Sequence, residues 1–561
     1  MSEQINEVDD KENDLLDEKI DKSNQKNKMI LLYSVTIGGI LLIILIIFII
    51  SSILGKSEEE NDLTLSLKYK PDSEVETLLF DSKYINLISS ISVDNQINSK
   101  NITNKYVFNS TDEHIVEIRL KDDIVNMDQF FKNSIKLIEI DLSKIKTNNI
   151  KNISEMFYEC SSLKSINFGN FNTENIVDMS HLFHGCIYLE SIDLDKFKTE
   201  KVEDMQYMFY RCTSLTSLNI QSFNTKNLRE IKLMFSNCKN LINIEFGKDF
   251  RISNIKDISE LFSECQQLKS VDLTNFDTSK ITKMADLFYN CISLSSIDLS
   301  KIDTSNVIDM SGMFKGCSSI TSLDLKSLDT SKVENMGHMF DSCTGLKTLD
   351  LKSLKTSKVK YMNQMFYRCI SMESFDVSSF DMSEVINMEG MFDFCTSLKF
   401  LNLSNLNTSK VTDMSYLFAA SKNLISIDFN NFNTKNVITM NNMFFGCNSL
   451  IELDLSSFNT LNLKSMQLMF NDCNSIKILN LSNFDTSKTE NMGGVFSKCS
   501  SLNVLDIRNF DSSSLKIKET NLFPDINVNG TIYFDSSKFD KNLFVNNNIE
   551  NWVQFDINNN I

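Results

Sequence analysis

A single cysteine returns every 26 residues along most of this chain, and a fixed period of that length requires stacked structural repeats instead of separate globular domains. The column is Cys160, Cys186, Cys212, Cys238, Cys265, Cys291, Cys317, Cys343, Cys369, Cys395, Cys447, Cys473 and Cys499. Its step is 26 residues except for 27 between Cys238 and Cys265, and Ser421 fills the one rung without a cysteine. Carried backward, the register reaches Ser134, so about fifteen copies run from Phe130 to Phe523. The two prolines, Pro71 and Pro524, lie outside those copies, as a continuous backbone ladder requires of a residue with no N–H to donate.

One rung, LSSIDLSKIDTSNVIDMSGMFKGC (Leu294 to Cys317), changes period halfway. Ile297 and Leu299 alternate with polar neighbours, the pattern of a half-buried strand. Val307, Met310, Met313 and Phe314 instead recur every three or four residues, the spacing of a short helix or 3₁₀ turn. Thr304 and Ser305 stand where caps of that turn belong, and Ser331 with Glu334 repeats capping-box spacing one rung later. A lone rung cannot bury its apolar side, but stacked rungs can. The expected fold class is therefore α/β: a right-handed solenoid of about fifteen strand–turn–short-helix rungs forming one long parallel sheet, roughly 70 Å from end to end.

The L-x-x-L-x-L strand is that of leucine-rich repeats. The longer string MFKGCSSITSLDLKSLDTSKVENMGHMF (Met313 to Phe340) closely resembles the 26-residue bacterial-surface-protein repeat, the BspA-like kind of leucine-rich repeat. This resemblance implies a leucine-rich-repeat-like solenoid and a surface adhesin or receptor that binds extracellular or host-surface proteins through its sheet face.

The cysteines do not read as chemistry. Zinc needs clustered ligands, and no two cysteines are closer than 26 residues. Thirteen copies of a nucleophile make no catalytic sense, and disulfides between rungs would have to span more than the preferred Cβ approach of about 3.8 Å. All thirteen are expected to be structural, buried, reduced thiols acting as small hydrophobes. His181 and His184 with Cys186, in HLFHGC, raise a metal site, but four histidines in the whole chain and no carboxylate pattern around them point to none. No phosphate loop, triad order or nucleophile elbow is present, so neither an enzyme nor a cofactor is expected.

Strand alternation sends three columns outward, those of Ser296, Asp298 and Ser300, and two of them carry the candidates. One is mostly acidic and includes Glu245, Asp272, Asp298, Asp324, Asp350 and Asp376 in succession, then Asp428 and Asp454 further along. Such a ladder repels itself, so some members either have raised pKa values or attract cations, Ca²⁺ or a basic partner; alternatively each accepts local hydrogen bonds and is architectural. The neighbouring column is small and polar up to Ser374 and then changes to Phe400, Ser426, Glu452, Ile478 and Val504, with Ile425 and Ile451 one residue earlier in their rungs. That stretch is either a protein-contact patch or drift on an indifferent surface. Partner-binding candidates are thus Asp272, Asp298, Asp324, Asp350, Asp376, Phe400, Asp428, Asp454, Ile478 and Val504.

Residues 29–55 are uncharged and dominated by ILLIILIIFII, long enough for a transmembrane signal-anchor helix. Lys19, Lys22, Lys26 and Lys28 precede it and Glu58, Glu59 and Glu60 follow, which places the N-terminus in the cytoplasm and the repeats outside a cell membrane. The expected organisation is a disordered acidic tail (1–28), the membrane helix (29–55), a stalk and N-terminal cap (56–114), the solenoid (115–525) and a C-terminal cap (526–561). The net charge of -18 argues against nucleic acid as partner. The function expected from all this is membrane-anchored adhesion or ligand recognition; a receptor signalling through its tail and a coat protein without a ligand are the alternatives.

Overall fold

The computed structural model describes residues 63–98, 102–121, 124–404, 406–516, 522–527, 529–544, 549 and 552–558, with residues 21, 25, 26 and 28 nearer the N-terminus. The chain divides into two units, Met1–Leu63 and Thr64–Ile561. The apolar segment 29–55 lies outside the described residues, and among the described residues no helix is long and apolar enough to cross a membrane. The expected single-pass membrane placement is therefore not supported by the described residues.

The second unit opens with β1 (Thr64–Tyr69), β2 (Glu76–Leu78), β3 (Ile88–Val93), β4 (Gln96–Asn98), β5 (Lys105–Val107) and β6 (His114–Leu120). Strict alternation in β6 buries His114, Val116, Ile118 and Leu120 and exposes the residues between them. β1 pairs antiparallel with β6 on one side and with β7 (Leu137–Asp141) on the other, so an antiparallel strand closes the first edge of the repeats. β7 in turn pairs parallel with β8 (Ser165–Asn167).

From there the chain winds as a β-solenoid of about 16 turns. Its named strands are β9 (Ser217–Ile220), β10 (Asn243–Phe246), β11 (Phe400–Asn402), β12 (Ser426–Asp428), β13 (Ile478–Asn480), β14 (Val504–Asp506), β15 (Thr531–Phe534) and β16 (Val553–Asp556). The one long parallel sheet expected from the sequence is not formed: β9 pairs with β10, β11 with β12, and β13 to β16 make a four-stranded sheet. In β11 to β14 the strand is short because a tight turn begins at its third residue: Asn402, Asp428, Asn480 and Asp506 each accept, through Oδ1, the N–H two residues on.

The expected short helix is also absent. Val307, Met310, Met313 and Phe314 have helical spacing, but Gly312 and Gly316 between them take φ of +60° and +77°, and His338 and Ser342 take +58° each in the next rung. Two left-handed residues per rung break a helix and make successive N–H groups alternate in direction. Met310, Gly312, Phe314 and Gly316 donate to Asn335, Gly337, Met339 and Asp341 of the next rung, at 3.0, 2.9, 3.0 and 2.7 Å, while Met313, Lys315 and Cys317 donate within their own rung. The intrachain bond that a helix would make is thus spent half the time on stacking. Parallel bridges alongside join Asn152 through Glu230 and Asp257 through Asn491, with the break at the rung of 27 residues.

Inside, like stacks on like. Phe131 to Phe523 form an unbroken column whose ring centroids stand 5.3 to 6.0 Å apart. Each pair contributes about 0.5–1.5 kcal/mol beyond its area burial. Met310, Met313, Phe314 and Cys317 are all fully buried, as are their counterparts in neighbouring rungs.

Candidate interaction surface

Three kinds of column meet solvent or line the wall, and each has its own chemistry. The cysteines line the wall. All thirteen are free and buried, and each Sγ donates to the carbonyl of a phenylalanine one rung back: Cys291 to Phe262 at 3.0 Å, Cys317 to Phe288 and Cys343 to Phe314 at 3.1 Å. Ser421 Oγ makes the same bond to Phe392 O at 2.8 Å. Burial pushes the thiols of Cys238 and Cys499 up to about 12, and raises the others too, so none is poised as a thiolate.

A threonine column flanks the strands and was not recognised as functional from sequence. Thr330 Oγ1 donates to Lys355 O at 2.9 Å and accepts the Lys355 N–H at 2.7 Å, and Thr356 repeats both bonds with Asp381 at 2.9 and 2.7 Å. Thr304, placed as a cap from sequence, is one of these buried rung-to-rung clamps. The signal was there in the recurring Asp-Thr-Ser triplet, at Asp277–Ser279, Asp303–Ser305 and Asp329–Ser331.

On the strand face the acidic column is chiefly a set of turn formers. Oδ1 of Asp272, Asp298, Asp324, Asp350, Asp376, Asp428 and Asp454 each accepts the backbone N–H two residues on, at 2.8 to 3.2 Å. Three members of the column have pKa values shifted down, opposite to the raised values that self-repulsion would give them. Asp298 is held low by the Ser300 N–H, Asp376 by the Ser378 hydroxyl and N–H, and Asp454 by the Ser456 N–H. Among the described residues no group of three or more potential ligands comes together to hold a metal ion.

The apolar candidates lie beside that column. Phe400 is 57% exposed and Ile478 62%, Val504 is half-buried, and Ile451 is exposed in the rung before β13. Register sets Phe400 opposite Ser426, and aligns Ile478, Val504, Thr531 and Val553 across four strands. Phe555 of β16 stacks on Tyr533 with centroids 5.2 Å apart and stays exposed, extending the apolar strip to the last strand. The structure therefore brings Ile478 and Val504 together on adjacent strands, whereas Phe400 stands three rungs away.

The turns carry His181, His184 and His338. His181 Nδ1 is 3.1 Å from His184 Nδ1, His181 stacks on Tyr207, and His184 packs against Tyr158 and Tyr210. Burial first, then His181 beside it, pushes the His184 pKa down to about 4. Cys186 takes no part, its sulfur being bonded to Phe157 O in the wall. Further along, Asp341 accepts from Lys315 Nζ and pairs with His338 Nδ1, both at 2.9 Å. Asp393 is 7% exposed with a buried Oδ1 that has no hydrogen-bond partner among the described residues, and burial pushes its carboxyl up to about 7.

No curated protein matches the chain. Among solved structures it is similar to a leucine-rich repeat protein of T. pallidum, at 23% identity over 33% of this chain and 78% of that one, with a TM-score of 0.25. A leucine-rich repeat protein from Eubacterium ventriosum is 16% identical over 61% of this chain and 91% of its own, with a TM-score of 0.30. The functional domain of InlJ from Listeria monocytogenes, described as including a cysteine ladder, is 16% identical over 62% and 74% with a TM-score of 0.16. Repeated matches spanning residues 125–244 and 256–559 fit the family described as "Mycoplasma protein of unknown function, DUF285", and because they take in well over half of the sequence, the chain belongs to the DUF285 family.

Proposed function

We propose that this protein is a non-catalytic recognition scaffold that binds a partner protein on the strand face of its solenoid, around the apolar strip of the last rungs. The observation that carries the reading is the exposure of Ile478 at 62% beside Val504, in register through Thr531 with exposed Val553 at the far strand of one continuous sheet. From Ser165 to Ser374 the same column is serine, threonine and asparagine throughout. Large apolar groups with polar columns on their flank are what the core and rim of a protein interface require. Asn480 and Asp506, each accepting the N–H two residues on, fix the turns behind β13 and β14 and so pre-organise the backbone that presents the strip.

The test is binding of the full chain to a panel of purified extracellular-matrix and cell-surface proteins, the partner class that the bacterial-surface-protein resemblance implies. A genuine partner should lose about tenfold or more in affinity to the Ile478→Ser, Val553→Ser double variant. Binding that survives this variant, or a panel with no binder, would overturn the reading in favour of a coat protein without a ligand.

A further inference from the structure

We propose that His181 and His184 form a two-imidazole chelate for a divalent late transition metal ion of the zinc, nickel or copper class on the turn face. Spacing carries the proposal. Two nitrogens each 2.0–2.1 Å from one tetrahedral ion stand about 3.3–3.4 Å apart, and in adjacent corners of a square plane about 2.9 Å. The two Nδ1 atoms are 3.1 Å apart, between those limits, so either geometry needs a shift of only a few tenths of an ångström. Water would complete the shell, because among the described residues no third His, Cys, Asp or Glu ligand joins the pair.

The rings are already held. His181 lies on Tyr207 with centroids 4.5 Å apart and planes 8° from parallel, and His184 sits between Tyr158 at 4.4 Å and Tyr210 at 4.7 Å. These tyrosines come from the rungs on either side, so three turns of the solenoid orient the pair. His184 Nε2 faces Glu159 Oε1 at 3.8 Å, and Arg211 Nη1 holds that same oxygen at 3.4 Å. At 3.8 Å the carboxylate is beyond hydrogen-bond distance, and it acts on the ring through its charge, which favours the proton on Nε2 and leaves the Nδ1 lone pair for the metal. With the His184 lone pair on Nδ1, the 3.1 Å contact makes His181 Nδ1 the donor. An incoming ion takes the place of that proton, which relocates to His181 Nε2.

The fold supplies its own control. His338 occupies the same turn position as His181, but the residue three further on is Asp341 instead of a second histidine, and Asp341 and Lys315 already engage the His338 Nδ1 at 2.9 and 3.4 Å. One position thus appears twice, once as an imidazole pair and once as an imidazole–carboxylate pair.

The test is calorimetric titration of the full chain with CuCl₂ and with ZnCl₂, together with the copper paramagnetic resonance spectrum. One ion should bind per chain with two nitrogen couplings. His181→Gln and His184→Gln should each weaken binding about tenfold or more, Glu159→Gln within a range of about 10–100-fold, and His338→Gln not at all. Because His184 is buried, each variant is first compared with the parent by circular dichroism; His181, half-buried, tests the proposal even where His184→Gln unfolds. Copper affinity unchanged in His181→Gln, or loss of the site in His338→Gln, would overturn the proposal.

Discussion

Replacing Cys317 tests whether the cysteine column is a ladder of hydrogen bonds or only a file of small hydrophobes. Its Sγ lies 3.1 Å from Phe288 O, and that oxygen also accepts the Cys291 N–H at 3.1 Å. Truncation to alanine therefore orphans no carbonyl. What it removes is the burial of the sulfur, comparable to one methylene at about 0.8 kcal/mol, and what it adds is a small cavity, about 0.5 kcal/mol for roughly 20 Å³ at about 24 cal/mol per Å³. With the weak S–H bond included, Cys317→Ala should cost about 1–2 kcal/mol. Serine loses the apolar sulfur but keeps a donor, and Ser421 Oγ shows that a hydroxyl fits this place 2.8 Å from its phenylalanine carbonyl. Cys317→Ser should then cost only about 0–1 kcal/mol, the bond to the carbonyl offsetting the burial of the hydroxyl. Urea unfolding followed by far-ultraviolet circular dichroism gives both values from the shift in midpoint. The ordering is the decisive readout: if serine costs more than alanine, the hydrogen-bond ladder is not what the column is for.

Three further expectations follow from the same columns. Thr330→Val deletes both bonds to the Lys355 backbone, and since Lys355 is exposed and water can take over part of the loss, the cost should be about 1–3 kcal/mol in the same urea assay; no loss would make the threonine column incidental. Phe314→Leu keeps an apolar filling but removes stacking on Phe288 and Phe340 at 5.8 and 6.0 Å, and should cost about 1–3 kcal/mol against about 3–5 for Phe314→Ala; equal costs would dismiss any stacking term. Asp393 is a raised carboxyl, so the folded chain binds its proton more tightly than the unfolded chain, and stability falls as pH climbs from about 4 through about 7. Asp393→Asn should therefore be more stable than the parent at pH 8, by at most about 4 kcal/mol, and show no advantage at pH 3; a gain that is the same at both pH values would exclude the carboxyl as its source.

How far the fold could be read in advance depends on where each hydrogen bond goes. Cys317, Phe314, Met310 and Val307 declare themselves because stacking like on like writes a period of 26 into the sequence, and burial then follows from the repeat alone. The turn between them misleads, because Val-x-x-Met-x-x-Met-Phe has the spacing of a helix face whichever way the intervening N–H groups point. Gly312 and Gly316 were the available hint of left-handed backbone, but His338 and Ser342 hide the same conformation one rung later behind side chains that usually avoid it. The strand face was legible in its alternation and illegible in its chemistry, since an aspartate that caps its own turn and an aspartate that waits for a ligand are the same letter. Asp298 is settled only by the Ser300 N–H 2.8 Å away. The histidines show the converse. In sequence His181 and His338 are equivalent, one at each of two identical turn positions, and what separates them is the residue three places on and the aromatic rings supplied by the neighbouring rungs. In a solenoid the surroundings of a side chain come from residues about 26 positions before and after it, so a site of this kind becomes visible only when three consecutive rungs are read side by side.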